Sequence, residues 1–304
     1  MKRYPSRGAF LLYGTIWVGS SSLKEKYMSQ LSKRAESILR MQQVDVFACP
    51  HCQSPMKVED NGNVICENRH SFDVAKQGYI FMLPKPMNSM YTKELFEARH
   101  DIISSGLYAA VQKKIAEAIH ADHPVILDTG CGEGSHLAEI CEQLQHATGI
   151  GIDIAKEGIV AAAKFHREQI WCVGDLAKSP FQAGKFDVIL NFLSPANYEE
   201  FKRLLKPNGL MIKVVPQQNY LKELRAQAFA NSEKEDYSNE QTVARFKEQC
   251  ADVTVERITY TMPLEQVLVP KLLEMTPMGW HIESKESITL SEITIDLDVL
   301  IGRV

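Results

Sequence analysis

The stretch Val125-Ile126-Leu127-Asp128-Thr129-Gly130-Cys131-Gly132-Glu133-Gly134 decides the fold of this chain. A short apolar run that breaks into a glycine-rich turn and then a helical pattern predicts a strand–loop–helix unit of the nucleotide-binding kind. Glycine suits such a turn because a side chain would block backbone approach to a ligand, and because tight turns use positive φ. Outward from it, strands are predicted at Val125–Asp128, Thr148–Asp153, Ile170–Gly174, Phe186–Phe192 and Leu210–Val215. Helices are predicted at Ser135–Leu144, Lys156–His166 and Glu199–Leu205. This alternation reads as a doubly wound α/β sheet, whose ligands lie beyond the carboxyl ends of the strands.

The loop spacing is Gly130-x-Gly132-x-Gly134, whereas a dinucleotide fingerprint needs G-x-G-x-x-G. The loop also carries Asp128 and Glu133, two negative charges unsuited to a pyrophosphate and suited to a cationic sulfonium and amino group. Asp153 closes the second strand, where a carboxylate can accept both ribose hydroxyls, and Asp175 follows the third, within reach of an adenine amino group. Three acids at consecutive strand ends point to S-adenosylmethionine. The fourth strand ends Asn191-Phe192-Leu193-Ser194-Pro195, which breaks the Asp/Asn-Pro-Pro-aromatic pattern of exocyclic-amine methylases. Cys131, Cys141, Cys172 and Cys250 read as loop or core residues, with no pair fit for a 5-methylpyrimidine mechanism. A ring nitrogen or a small-molecule acceptor remains. Asn191 and Ser194 are the candidates to line the acceptor pocket, and no catalytic base stands out.

Upstream, Cys49-x2-Cys52 and Cys66-x3-His70 flank a hairpin signal, Asp60-Asn61-Gly62-Asn63. Paired ligands on two tight turns give four soft N/S donors, a closed tetrahedral site for structural Zn2+. His51 is the weaker histidine candidate. The chain holds seven cysteines, an odd number that argues against a disulfide framework and for a reducing compartment, the cytosol. Residues 41–86 carry Lys57, Arg69, Lys76 and Lys85 against Asp45, Glu59, Asp60, Glu67 and Asp73, so any RNA contact there rests on shape and stacking. An apolar strand before Pro84 is expected to end this module, and Lys85–Tyr91 to be a linker.

Both ends of the chain differ from this middle. Lys2, Arg3 and Arg7 precede an apolar run from Ala9 to Gly19, a crude signal-peptide pattern too short to span a membrane. Residues 1–40 are expected to be a leader or extension, with translation starting at Met28. Ser29–Met41 reads as an exposed amphipathic helix. Helical patterns at Thr92–Ser104 and Ala109–Ile119 can cover the cofactor pocket. Near the end, a strand at Ile258–Pro263, a helix at Leu264–Met275 and a strand around Ile293–Ile301 suit a sheet with an antiparallel last strand. Gln217–Val304 has more acid than base and is not expected to face RNA.

Taken together, Phe47-x-Cys49-Pro50-x-Cys52, Cys66-x3-His70-x-Phe72-Asp73-x-Ala75-Lys76-x-Gly78-Tyr79, the Asp128–Gly134 loop and Met275-Thr276-Pro277 resemble the 23S rRNA guanine-N1 methyltransferases of the RlmA type. The resemblance implies a class I (Rossmann-like) methyltransferase sheet at 87–304 with a small N-terminal zinc-binding β module at 41–86. It implies methyl transfer from S-adenosylmethionine to N1 of a guanine in a 23S rRNA hairpin, by a cytoplasmic homodimer with no membrane contact. Residue by residue, it makes Cys49, Cys52, Cys66 and His70 zinc ligands, and Gly132, Glu133 and Tyr108 cofactor contacts. Tyr220 falls where better-known members have histidine. The competing readings are a small-molecule S-adenosylmethionine-dependent methyltransferase with zinc as scaffold, and a non-catalytic zinc-dependent RNA-binding protein.

Overall fold

The computed structural model describes residues 31–85, 87, 91–228, 238–282 and 288–304. The expected leader and Met28 start and most of the Lys85–Tyr91 linker lie wholly or partly outside these residues.

Strands β1 (Met56–Val58), β2 (Asn63–Cys66) and β3 (Ser71–Asp73) form a small antiparallel sheet around the hairpin at Asp60–Asn63. Eight further strands form the main sheet: β4 (Tyr79–Phe81), β5 (Val125–Thr129), β6 (Thr148–Asp153), β7 (Ile170–Val173), β8 (Phe186–Phe192), β9 (Leu205–Pro216), β10 (Ala251–Pro263) and β11 (Glu292–Arg303). Their spatial order is β4-β7-β6-β5-β8-β9-β11-β10. From β4 to β9 all pairings are parallel, while β11 runs antiparallel to both β9 and β10. The expected antiparallel last strand is there.

The parallel strands read as continuous apolar runs because both faces are covered. Ile126, Trp171, Leu190 and Ile212 point into one core, and Leu127, Cys172, Ile189 and Met211 into the other. Helices α1 (Lys33–Gln42), α2 (Lys93–Ser104), α3 (Ala109–Ala118), α4 (Ser135–Gln143), α5 (Lys156–Phe165), α6 (Tyr198–Leu204), α7 (Lys222–Ala228), α8 (Glu240–Gln249) and α9 (Val269–Met275) complete the chain. No helix among the described residues is long and apolar enough to cross a membrane.

Three expectations need correction. The strand at Tyr79–Phe81 does not close the small module: it pairs with Ile170–Val173 at the edge of the main sheet. The module is welded on further by Ala48 N–H to Pro180 O (2.9 Å) and by Phe47 against Phe181 (5.9 Å between ring centres). Ile38, Phe47, Val64 and Ile80 share one apolar core with Leu127 and Ile150, so Lys33–Val304 packs as a single unit. Strand β10 begins seven residues earlier than expected. Its first part carries exposed Asp252, Thr254 and Arg257 and half-buried Glu256, which broke the apolar pattern, but β11 supplies the hydrogen-bonding partner along its length.

The third correction concerns α1, which is a clasp rather than an exposed lead-in. Arg34 donates to Val74 O and Asn61 O of the small module, both at 2.7 Å. On its other side, buried Glu36 takes a two-pronged bond from Arg167 (2.7 and 2.9 Å) in the turn that follows α5. A carboxylate buried this way draws its stability from that pairing. Glu36→Ala is expected to lower unfolding stability by about 1–3 kcal/mol, read by urea denaturation. A variant as stable as the parent would show that α1 does not clasp the two parts.

Candidate functional site: a cofactor cavity and a metal centre

The glycine-rich loop leaves β5 and turns into α4 with Gly130, Gly132 and Gly134 all at positive φ (+75°, +57° and +80°). A Cβ at Gly134 would sit 2.2 Å from the buried Trp171 ring, and one at Gly130 would sit 2.0 Å from Ser194 Oγ. Gly134 is therefore required by packing behind the loop, not by approach to a ligand. Asp153 fixes the loop from the next strand. Its Oδ2 accepts from Gly132 N–H and its Oδ1 from Ala155 N–H, both at 2.8 Å, which leaves each oxygen further acceptor capacity. Gly130, Gly132 and Asp153 open onto one cavity of about 930 Å3 at the carboxyl ends of the strands, within the size range of a cofactor site.

Asp128 and Glu133 lie behind this cavity with 1% and 0% exposure. Burial pushes the Asp128 carboxyl up to about 8, against the opposing pull of Arg99. Its Oδ1 has no hydrogen-bond partner among the described residues. Glu133 is held by Arg99 of α2, an ion pair of 3.1 Å too poorly aligned to count as a hydrogen bond. The Arg99 guanidinium is raised above its ordinary value: burial pulls it down, but Glu133 and other negative neighbours outweigh that. A buried acceptor without a donor, next to a cavity-lining guanidinium, fits a ligand with a cationic end and a carboxylate. S-adenosylmethionine is such a ligand.

Tyr108 and Tyr220 also line the cavity and share a hydrogen bond of 2.7 Å between their hydroxyls. His136 packs beside them, stacked on Phe192 at 3.6 Å, and burial holds its imidazole well below the usual histidine range. Asp175 is not brought to this cavity. Its Oδ1 caps the short turn Leu176–Lys178 by accepting from Ala177 N–H at 2.8 Å. Ser194 lines the cavity, but Asn191 does not. Asn191 is fully buried; its amide donates to Thr129 and to Pro195 O, and its Oδ1 accepts from Lys213. The residue read as an acceptor-pocket candidate is thus a brace between β5, β8 and β9.

Sequence reading missed Arg99, His136 and Lys213. Two of them left a signal. Arg99 falls on the apolar face of α2 with Leu95, Phe96, Ile102 and Ile103, and Lys213 interrupts the apolar run Leu210–Val215. A charge on a stripe that should be buried must face a cavity or a partner. The C-terminal part, expected by its acidity not to face RNA, supplies Gln241, Thr242, Arg245 and Met275 to the cavity wall.

The metal centre is built as expected. The donor atoms of Cys49, Cys52, Cys66 and His70 all lie within 4.8 Å of one another. Cys49 Sγ and Cys66 Sγ are 3.4 and 3.5 Å from His70 Nδ1, and Cys52 Sγ is 3.7 Å from Cys66 Sγ. A tetrahedron with bonds of about 2.0–2.3 Å has edges of about 3.3–3.8 Å, so the four donors fit Zn2+. Gln53 and Arg69 adopt positive φ (59° and 63°) and close the two knuckles through Gln53 N–H to Cys49 O and Arg69 N–H to Cys66 O. His51 is not in the donor set; it packs its ring on Phe72.

This strand order, with a glycine-rich loop and Asp153 opening on one cavity, defines a class I S-adenosylmethionine-dependent methyltransferase. The family model described as RlmA, N-terminal, matches residues 47–87, and a methyltransferase-domain model matches residues 120–266. A Bacillus subtilis (strain 168) protein, provisionally named 23S rRNA (guanine-N(1)-)-methyltransferase YxjB, is 41% identical over 84% of this chain and 96% of its own length. The 23S rRNA (guanine(748)-N(1))-methyltransferase of Streptomyces fradiae is 31% identical over 82% and 90%. The chain belongs to this 23S rRNA guanine-N1 methyltransferase family, with the RlmA-type zinc ribbon at its N-terminal side.

Two measurements test the site. Chelation should remove a single zinc ion per chain, held by the four-residue cluster, and lower the thermal midpoint of the whole unit, because the ribbon and the sheet share a core. An unchanged midpoint would show that the ribbon is not coupled to the sheet. For Asp128, the fold favours the neutral acid, so its contribution is complete below the unfolded value of about 4. That contribution is lost as pH rises towards about 8. Asp128→Asn, which cannot ionise, should gain stability relative to the parent between these limits, as followed by denaturant unfolding at several pH values. A constant difference would mean that Asp128 ionises normally.

Proposed function

We propose that this protein transfers the methyl group of S-adenosylmethionine to N1 of a guanine in a hairpin of 23S rRNA, as a cytoplasmic homodimer. The observation that carries the reading is the near full-length relationship to two proteins named for that reaction, with the zinc ribbon included. Residues 41–86 serve as the ribbon and 87–304 as the catalytic part, with β4 shared between them.

Bound S-adenosylmethionine supplies an electrophilic methyl group on sulfur. The chain's own task is alignment, since an in-line displacement depends chiefly on holding the two partners in contact. Asp153 would hold the ribose through its free acceptor sites. Arg99, oriented by Glu133, would face the carboxylate, with Asp128 buried behind the wall. Gly130, Gly132 and Gly134 shape the loop, and Tyr108 and Tyr220 close the cavity wall. Ser194 lies at the acceptor side.

The near-neutral charge of the ribbon and its shared core favour one alternative, a small-molecule methyltransferase in which zinc is scaffold. Primer extension on 23S rRNA from cells lacking the protein separates the two. The rRNA reading expects one reverse-transcriptase stop to disappear, and an unchanged pattern of stops would sink it. Methyl transfer by the purified protein without RNA would favour the small-molecule reading.

A further inference from the structure

Guanine N1 carries a proton that must leave when the nitrogen is methylated, and the cavity offers few groups able to take it. Asp153 is engaged by two backbone amides, Arg99 by Glu133, Tyr108 and Tyr220 by each other, and His136 by Gln112 at Nδ1 with its ring stacked on Phe192. Lys213 stands apart. It sits on β9 directly across from Asn191 of β8, is 5% exposed, and lines the same cavity as Ser194. Its amine donates to Asn191 Oδ1 and to Ser194 O (2.8 Å). Those two bonds are what a neutral amine can give with its two hydrogens, and they leave its lone pair free to accept a proton.

The charged and titratable groups on the neighbouring elements do not compensate it. Tyr198 of α6 and Arg245 of α8 pair with each other, the guanidinium 5.7 Å from the ring centre. Asp298 of β11 is taken by Gln217 and Asn239. Among the described residues no carboxylate forms an ion pair with Lys213. Uncompensated burial disfavours the ammonium form and brings the group down to about 8.

We propose that Lys213, held by Asn191 and the Ser194 carbonyl, is the catalytic residue that accepts the N1 proton of the target guanine. This rests on the guanine-N1 reading above. The neutral amine takes the N1 proton as the N1 electron pair bonds to the methyl carbon. The carbon–sulfur bond breaks with its electrons remaining on sulfur. The products are N1-methylguanine, S-adenosylhomocysteine and the Lys213 ammonium, which then returns its proton to solvent.

The test compares the parent with Lys213→Arg and Lys213→Met. Arginine keeps a cation and hydrogen-bond donors but cannot give up its proton at working pH. A general base contributes about 10²–10⁴-fold, so both variants should lose that much single-turnover methyl transfer to 23S rRNA, with calorimetric S-adenosylhomocysteine affinity within about twofold of the parent. The parent's rate should rise with pH through about 8, and this limb should be absent from the arginine variant. A readout without turnover is competitive acetylation followed by peptide mass spectrometry, in which Lys213 should titrate near 8 while surface lysines titrate near about 10. An active arginine variant with the parent's pH profile, or a Lys213 that titrates with the surface lysines, overturns the proposal. A parent protein that leaves guanine N1 unmethylated instead overturns the functional reading on which it rests.

Discussion

Asp153 ties three segments together through one carboxylate. Its oxygens hold the Gly132 amide of the first loop and the Ala155 amide at the start of α5, while its own backbone ends β6. A glycine-rich loop has little stiffness of its own, because glycine adopts many backbone conformations at similar energy. The loop becomes a defined wall only because the next strand reaches across and satisfies its amide. Trp171 supports it from below by filling the space that Gly134 and Gly151 leave open. Cavity, charge pattern and acceptor side all follow from where that loop is fixed.

The second structural theme is a core shared across what would otherwise be two parts. A zinc ribbon of this size buries too little apolar surface to be stable unaided, and metal ligation supplies what it lacks. Here the ribbon also gives Phe47, Val64 and Ile80 to the sheet's own core and lends β4 to its edge. Metal binding and the order of the edge of the sheet are thereby linked. The clasp helix α1, with Arg34 on one part and Glu36 on the other, reinforces the same link.

Electrostatics around the cavity depend on burial more than on net charge. The chain as a whole carries −4, yet the site is set by a few groups: Asp128 without a donor, Glu133 with Arg99, and Lys213 on Asn191. At buried positions each of these interactions is stronger than the same pair at the surface. That is why Arg99 and Lys213 matter more than the many exposed lysines.

The sequence by itself determined the alternation of β5 to β9, the four metal ligands and the acids of the cofactor loop. These features are encoded locally: apolar runs, turn residues and short ligand spacings act over a few neighbours. Tertiary structure alone decided that Tyr79–Phe81 would join the main sheet, that Asp175 would cap a turn, and that Asn191 would be a brace instead of a pocket residue. It also brought Arg99 to Glu133 and Lys213 to Asn191, contacts between elements distant in the chain. Such pairings arise when strand order and helix docking place side chains face to face. A one-dimensional pattern can flag a charge on an apolar stripe, but the partner that neutralises it is chosen only by the packed fold.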